Sequence, residues 1–308
     1  MNWSMHWWPT IRQTCWQPRA RPMQPESTVA AVLKVVAARL EAAGCDTARL
    51  DARLLVEEAC GLSLTDVIAR PDTVIAAASL ERVEIMVARR AAGEPVSRII
   101  GEREFYGRSF KITPDVLDPR PDTETLVDVA LPLLGKIAHP RILDIGTGSG
   151  AIIVTLLAEA PAATGVATEL SPAALAVARD NAHVNGVGQR LQLVETAWTE
   201  RVGGQFDLIV SNPPYIPPAD IASLCREVRE HDPHLALAGG PDGLDAYRAI
   251  LPEAAALLKP GGHVVLEFGA GQHEDVVRIA RAHGFALAAG GLVKDLGGHV
   301  RCAILLRS

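Results

Sequence analysis

The sequence predicts an α/β protein in which a small helical bundle and a β-hairpin precede a doubly wound, mostly parallel sheet. Three observations carry this expectation. From residue 141 onward, short apolar strand segments alternate with helical ones; a glycine-rich turn joins the first of these strands to its helix; and residues 27–92 place their apolar side chains at helical spacing. With 308 residues, 48% hydrophobic and 21% charged, the chain is long enough for two domains and builds its core without disulfides or metals.

In the N-terminal part, Ser27 or Thr28 caps a helix with apolar positions Val29, Val32, Leu33, Val36 and Leu40, stopped by Gly44. A second helix fits Thr47 to Cys60 before Gly61, and a third fits Ala76 to Ala92 before Gly93. Ile99-Ile100 and Phe110-Lys111-Ile112 then flank Tyr106-Gly107-Arg108 as a hairpin. The rigid turn Asp118-Pro119-Arg120-Pro121-Asp122-Thr123-Glu124 leads into a helix through Leu134. Strands are expected at 141–144, 164–167, 191–194, 206–210, 263–268, 285–288 and 300–306. Ser171-Pro172 supplies a cap and first-turn proline for the helix after the second of these.

The expected domains are therefore residues 26–94 as a helical substrate-docking bundle, 95–119 as a hairpin linker, and 120–308 as the catalytic domain. Residues 1–25 hold Trp3, Trp7, Trp8 and Trp16, are Arg-rich and contain no acid. Four prolines interrupt any helix there, so a transit peptide is a weaker reading than a disordered extension or a start set too early, with Met23 as the real one.

Composition excludes several classes. The net charge of −6 does not favour a protein that grips long nucleic acid by its phosphates. Cys15, Cys45, Cys60, Cys225 and Cys302 form no C-x-x-C pair, so reduced thiols in the cytoplasm are expected, and neither a disulfide framework nor a metal site. No run of 18 apolar residues spans a membrane.

Three motifs carry chemistry. Asp144-Ile145-Gly146-Thr147-Gly148-Ser149-Gly150 follows a strand and opens a helix. Its G-x-G-x-G spacing is neither a dinucleotide fingerprint nor a P-loop. It suits a zwitterionic amino-acid cofactor whose carboxylate meets free N–H groups at a helix start, although a turn without a ligand has the same pattern. Glu169, at the end of the next strand, stands about 20 residues past that loop, where an acid accepts from both ribose hydroxyls. Asn212-Pro213-Pro214-Tyr215 directly follows the fourth strand, at the carboxyl edge where open sheets bind ligands. The Asn212 side-chain oxygen and the Pro213 carbonyl are two acceptors for the hydrogens of a flat NH₂ group, and the Tyr215 ring offers a face on which a planar group stacks.

Together these motifs resemble class I methyltransferases that act on nitrogen. The stretches Gly101-Glu102-Arg103-Glu104-Phe105-Tyr106-Gly107, Pro119-Arg120-Pro121-Asp122-Thr123-Glu124 and Gly239-Gly240-Pro241-Asp242-Gly243-Leu244 narrow the resemblance to the HemK-type release-factor glutamine methyltransferases. It runs from about residue 27 to the end. It implies a Rossmann-like class I methyltransferase domain, S-adenosylmethionine as cofactor, and transfer of its methyl group to the side-chain nitrogen of the glutamine in the Gly-Gly-Gln motif of peptide chain release factors. Gly146, Thr147, Gly148, Ser149 and Gly150 would line the methionine part and Glu169 would hold the ribose, where the family commonly has Asp. Trp198 would contact the cofactor, and Asn212 would touch cofactor and substrate. Asn212, Pro213, Pro214 and Tyr215 would bind the substrate, with Asn212, Pro213 and Tyr215 catalytic and no metal. Ala197 departs from the acid that many methyltransferases place against the adenine amine. A release factor is the expected partner, with no direct nucleic-acid binding and a monomeric state. The rivals are an N-methyltransferase acting on another protein glutamine, such as a ribosomal protein's, or on adenine in nucleic acid, a nicotinamide-dependent oxidoreductase, and an inactive binding module. Adenine methyltransferases share the Asn-Pro-Pro-Tyr tetrapeptide, but residues 27–92 are helical, short of aromatics and mixed in charge, unlike a basic and aromatic target-recognition domain.

Overall fold

The computed structural model describes residues 27–307; the expectations for residues 1–25 lie outside them. The chain divides into two compact units, through Ala91 and from Ala92 onward.

The first unit is helical. Helix α1 (Val29–Ala42) starts where the Thr28 side chain accepts from the Ala31 N–H, and α2 (Ala48–Cys60) ends at Gly61, which takes the left-handed conformation, φ 64°. Helix α3 (Leu64–Ala69) was not expected. Its signal is a capping box in which Ser63 and Asp66 exchange side-chain-to-backbone bonds. Helix α4 spans Ala77–Ala91. Val32, Val36 and Leu40 on α1, Leu55 and Val56 on α2, and Val83 and Val87 on α4 form the buried interior. A buried ion pair, Arg90 Nε to Asp51 Oδ2 at 2.7 Å, crosses it; the Thr47 hydroxyl donates to the other Asp51 oxygen at 2.8 Å. Each buried charge thus has a partner.

The second unit opens with α5 (Val96–Ile100). Ile99 and Ile100 therefore lie in a helical turn and not in a hairpin strand, because Gly101 at φ 84° caps the turn and separates it from the strand that starts at Glu102. The hairpin is shorter than expected: β1 (Glu102–Phe105) pairs antiparallel with β2 (Arg108–Lys111). Its two turn residues, Tyr106 and Gly107, both have positive φ, as a tight turn matched to strand twist requires. A tyrosine there is strained. Its N–H bonds Glu124 at 2.8 Å and its hydroxyl bonds Asp128 at 2.8 Å, which holds it. Phe105 and Phe110, edge-to-face at 6.0 Å, are buried in the core of this unit.

The sheet then forms in chain order. After α6 (Glu124–Leu134) come β3 (Arg141–Ile145), α7 (Ala151–Glu159), β4 (Thr164–Glu169), α8 (Pro172–Val184), β5 (Leu191–Glu195) and β6 (Phe206–Ser211). Next are three short helices, α9 (Pro218–Ile221), α10 (Arg226–His231) and α11 (His234–Leu237), and then α12 (Asp245–Leu257), β7 (Leu258–Glu267), α13 (His273–Ala282), β8 (Phe285–Lys294) and β9 (Val300–Arg307). The seven strands lie in the order β5-β4-β3-β6-β7-β9-β8. The first five are parallel, and β9 runs antiparallel to both β7 and β8. Helices α6, α7 and α8 contribute to one buried cluster and α12 and α13 to another, so both faces of the sheet are covered, as a parallel sheet demands. Strand order reverses between β3 and β6. The loops leaving those two strands part there and open a crevice at their carboxyl ends.

Candidate functional site

At the end of β3 the chain must turn sharply into α7. Gly146, Gly148 and Gly150 all have positive φ, 72°, 56° and 83°, where a side chain is strained. A Cβ built on Gly146 or Gly148 would meet nothing within 4 Å, whereas one on Gly150 would press on Ala178 Cβ at 3.3 Å. The first two glycines thus keep backbone open to the crevice, and the third lets α7 pack on α8. Asn181 on α8 secures the loop, its Nδ2 donating to the Ser149 carbonyl at 2.8 Å while its Oδ1 accepts from the hairpin's Lys111 N–H at 2.7 Å.

Two carboxylates serve this loop differently. Asp144 is fully buried; one oxygen accepts from the Thr147 hydroxyl at 2.6 Å and the other has no partner. Burial pushes its pKa up to about 7, opposed by the Thr147 bond and reinforced by the charge of Glu169. Glu169 is half-buried at the end of β4. Its Oε2 accepts from the Gly148 N–H at 3.0 Å, and its Oε1 accepts from the Leu170 and Ser171 N–H groups at 2.8 and 3.0 Å. It therefore ties the glycine loop to the start of α8, and Oε2, which accepts one bond, retains a lone pair.

The second half of the site hangs on β6. The Ser211 hydroxyl donates to the Ile145 carbonyl at 2.7 Å and fastens the end of β6 beside the glycine loop. The next residue, Asn212, donates from Nδ2 to the Thr123 hydroxyl oxygen at 3.2 Å. The parallel register Ser211↔Leu266 brings Glu267, the last residue of β7, alongside Asn212. Burial pushes the Glu267 carboxyl up to about 7, against the opposing influence of the nearby Thr123 hydroxyl, the positive charge of Arg301 and the Asn212 amide.

Behind the turn, Gln272 Nε2 donates to the Tyr215 carbonyl at 2.9 Å and to the Gly243 carbonyl at 3.3 Å, while its Oε1 accepts from the Gly269 N–H at 2.9 Å. A Cβ on Gly239 would stand 2.7 Å from Tyr215 Cα, so the Gly239–Leu244 stretch is glycine-rich because it packs backbone against backbone. Burial pushes the Tyr215 phenol up to about 12, helped by the nearby Glu267 charge; it stays neutral at physiological pH.

These pieces enclose a cavity of about 290 Å³. Gly146, Thr147, Gly148, Ser149, Glu169, Trp198, Asn212 and Pro214 all line it, together with Arg120, Thr123, Thr168 and Ala197. Gly150, Pro213 and Tyr215 do not line it: Gly150 packs on α8, Pro213 is buried, and the Tyr215 ring lies against Gly269. Trp198 takes φ 47°, an uncommon conformation for a bulky residue, and packs on the core while facing the cavity. Glu124 holds the hairpin turn, and Arg120 on the wall pairs with the buried Asp232. Sequence reasoning missed Glu267, Gln272, Asn181 and the role of Thr123. Only Thr123 had a signal, its place in the Pro119–Glu124 stretch; the others depend on register and packing.

Comparison with known proteins completes the picture. A family model described as PrmC N-terminal domain matches residues 31–101, and one described as methyltransferase small domain matches residues 123–228. The release factor glutamine methyltransferase of Bradyrhizobium diazoefficiens is 47% identical over 268 residues, covering 86% of this chain and 90% of that protein. That of Agrobacterium fabrum is 44% identical over 280 residues, covering 90% and 96%. Among solved structures, the hMettl16 catalytic domain in complex with MAT2A 3'UTR hairpin 6 aligns with a TM-score of 0.54 at 19% identity, over 72% of this chain and 81% of that one, a likeness of fold. On the strength of near-full-length relatives at this identity, the chain belongs to the release factor glutamine methyltransferase family.

Proposed function

We propose that the protein methylates the side-chain amide nitrogen of the glutamine in the Gly-Gly-Gln motif of peptide chain release factors, with S-adenosylmethionine as donor. The observation that carries the reading is the meeting, in one cavity, of an open glycine loop, Glu169 and Asn212 at the strand ends. The residues fit this cofactor. The empty Cβ positions of Gly146 and Gly148 leave a cradle for its methionine part, and Glu169 Oε2 has a lone pair for a ribose hydroxyl. Trp198 and the half-buried Ala197 line the wall for a flat base. When bound, S-adenosylmethionine supplies an electrophilic methyl group on a sulfonium.

The chain's own residues have the harder task. An amide nitrogen is a poor nucleophile because its lone pair is delocalised into the carbonyl. Asn212 Oδ1 and the Pro213 carbonyl accept its two hydrogens, which favours a pyramidal nitrogen and aims the lone pair at the methyl group. Holding the two reactants in this arrangement supplies much of the remaining acceleration. Pro214 and Tyr215 keep the turn rigid, the neutral Tyr215 bracing it with its ring against Gly269. The helical residues 26–94 dock the release factor, and residues 95–119 link them to the catalytic part at 120–308. The protein works in the cytoplasm as a monomer, without direct contact to nucleic acid. Among the described residues, no helix is long and apolar enough to cross a membrane, and no group of acidic, His or Cys side chains forms a metal site.

The test is incubation with methyl-labelled S-adenosylmethionine and, in parallel, intact release factor, release factor with its Gly-Gly-Gln glutamine changed to alanine, ribosomal protein and duplex DNA. Label in intact release factor alone is expected. Label that persists after the glutamine is removed, or that enters DNA, refutes the reading.

A further inference from the structure

The mechanism needs Asn212 to present its oxygen, and not its nitrogen, to the target amide. An asparagine amide fits most sites almost as well after a 180° flip, because oxygen and NH₂ have similar size. Something must make one orientation win.

The register of β6 and β7 sets Glu267 beside Asn212, and Thr123 completes a triangle. Asn212 Nδ2 lies 3.2 Å from Thr123 Oγ1. The Glu267 carboxyl group stands near enough for the Thr123 hydroxyl and the Asn212 amide to favour its ionised form. Glu267 is 2% exposed and Thr123 4%, so water does not substitute for these partners. An ionised carboxylate only accepts. The Thr123 hydroxyl then turns its single hydrogen toward the negative Glu267, and its lone pairs are left for Asn212, whose Nδ2 it meets at 3.2 Å. Both partners therefore ask Asn212 for N–H groups. A flipped Asn212 would set its oxygen against the carboxylate, acceptor against acceptor, in a dry place where such mismatches are costly.

We propose that Glu267, with Thr123, is the positioning element of the transfer step: the pair engages Asn212 through its NH₂ group and so turns Oδ1 toward the substrate amide. This rests on the reading of Asn212 given above. Neither Glu267 nor Thr123 needs to touch the transferred methyl group. The wiring is directional when Glu267 is ionised, since a protonated carboxyl donates as well as accepts. The groups facing Glu267 are Asp122 and Thr123 before α6, Asn212 and Tyr215 after β6, Tyr247 on α12, and Arg301 and Cys302 on β9. Among these, Tyr215, Tyr247 and Cys302 are pushed upward and stay neutral below pH 8. With its pKa near 7, Glu267 changes charge inside the working range, and the transfer rate rises as pH climbs through about 7.

The experiment measures single-turnover methyl transfer to intact release factor with saturating cofactor, between pH 6 and pH 8.5, with cofactor affinity and melting temperature measured on the same proteins. Glu267→Gln keeps the shape but offers either an oxygen or an NH₂. Its rate should fall about tenfold at pH 8, the scale of one hydrogen bond to a charged group, with cofactor affinity within about twofold. The pH-dependent rise relative to wild type should vanish in this variant. Thr123→Val should lose a similar factor and Thr123→Ser should restore most of it, which a purely structural role of the methyl group would not give. If Glu267→Gln does not fold, the Thr123 pair decides alone. In an Asn212→Ala background, Glu267→Gln should cost nothing further. A full-rate Glu267→Gln or Thr123→Val, or independent losses in the double variant, would overturn the proposal while leaving Asn212 catalytic. An Asn212→Ala protein at full rate would instead remove the reading of Asn212 on which it stands.

Discussion

Asp144→Asn should stabilise the cofactor-free protein, and the gain should grow with pH. Asp144 is fully buried under the glycine loop, with one oxygen bonded to Thr147 and the other without a partner. Its carboxyl stands at about 7 in the fold against an ordinary 3.8. A carboxyl raised on folding contributes stability that is complete below the unfolded pKa and is lost as pH rises through the folded one. At about 1.36 kcal/mol for each of the roughly three pH decades between the two values, the loss reaches about 4 kcal/mol at pH 8 and less than half of that at pH 5. Asparagine has no such titration. Its oxygen keeps the Thr147 bond, but its NH₂ occupies the unpartnered position and costs about 1–3 kcal/mol at every pH. The net gain at pH 8 is therefore about 1–3 kcal/mol, and the pH-dependent part is free of the constant offset. Urea unfolding of both proteins at pH 5, 6, 7 and 8 measures it. The difference in unfolding free energy should move toward the variant by about 2–3 kcal/mol across that range. A difference that stays constant with pH would show that Asp144 is ionised throughout and that the burial argument is wrong.

Gly148→Val should abolish cofactor binding in calorimetry, since its side chain enters open cavity space, and should also lower the melting temperature, since φ 56° strains a β-branched residue; retained binding would displace the cofactor from the loop. Glu169→Ala should weaken cofactor binding by about 1–3 kcal/mol for the unpaired ribose hydroxyls. It should also destabilise the apo-protein, because the N–H groups of Gly148, Leu170 and Ser171 lose their acceptor; unchanged affinity in the folded variant refutes the ribose role. Asn212→Ala should cut single-turnover transfer by about 10²-fold or more, and Asn212→Asp should be no better above pH 7, since the new carboxylate faces Glu267; an active Asp variant would show that the NH₂ group is dispensable. Tyr215→Phe should transfer methyl at a rate within about threefold of wild type, because no hydroxyl bond is broken and the ring still packs on Gly269, whereas Tyr215→Ala should be severely impaired.

The parallel sheet was legible because its strands are nearly continuous apolar runs between glycine and proline signals, and Ser171-Pro172 marked a helix start that the structure reproduces. Most strand ends shifted by one or two residues, but β8 runs on to Lys294, six residues past the expected end, and β7 begins five residues earlier than His263, through a register irregularity beside Leu208. The segment of α9, α10 and α11 was unreadable, since helices of four to six residues carry too few turns for a periodic signal. The cavity wall was legible where a motif sits on one loop, as with Gly146–Ser149 and Asn212. It was not legible where two distant segments meet. Glu267 is an ordinary acid after a strand until the sheet order sets β7 beside β6, and Gln272 has no neighbour in sequence to betray its grip on Tyr215.

A common logic joins the two halves of the cavity. In the sheet order β3-β6-β7, the strand carrying Asn212 is flanked by two strands whose carboxyl ends bear buried acids, Asp144 and Glu267, each with one oxygen lacking a partner and each pushed up to about 7. Neither acid helps the fold. Apolar residues of similar size would pack there without the cost of desolvating a charge. Each instead gives direction to a polar group that lines the cavity: Asp144 fixes the Thr147 hydroxyl in the glycine loop, and Glu267 with Thr123 fixes Asn212. When ionised these acids cannot donate, and such acceptors, placed where water does not reach, make an otherwise symmetric hydroxyl or amide point one way. The stability given up at these two strand ends is thus the physical counterpart of an ordered site.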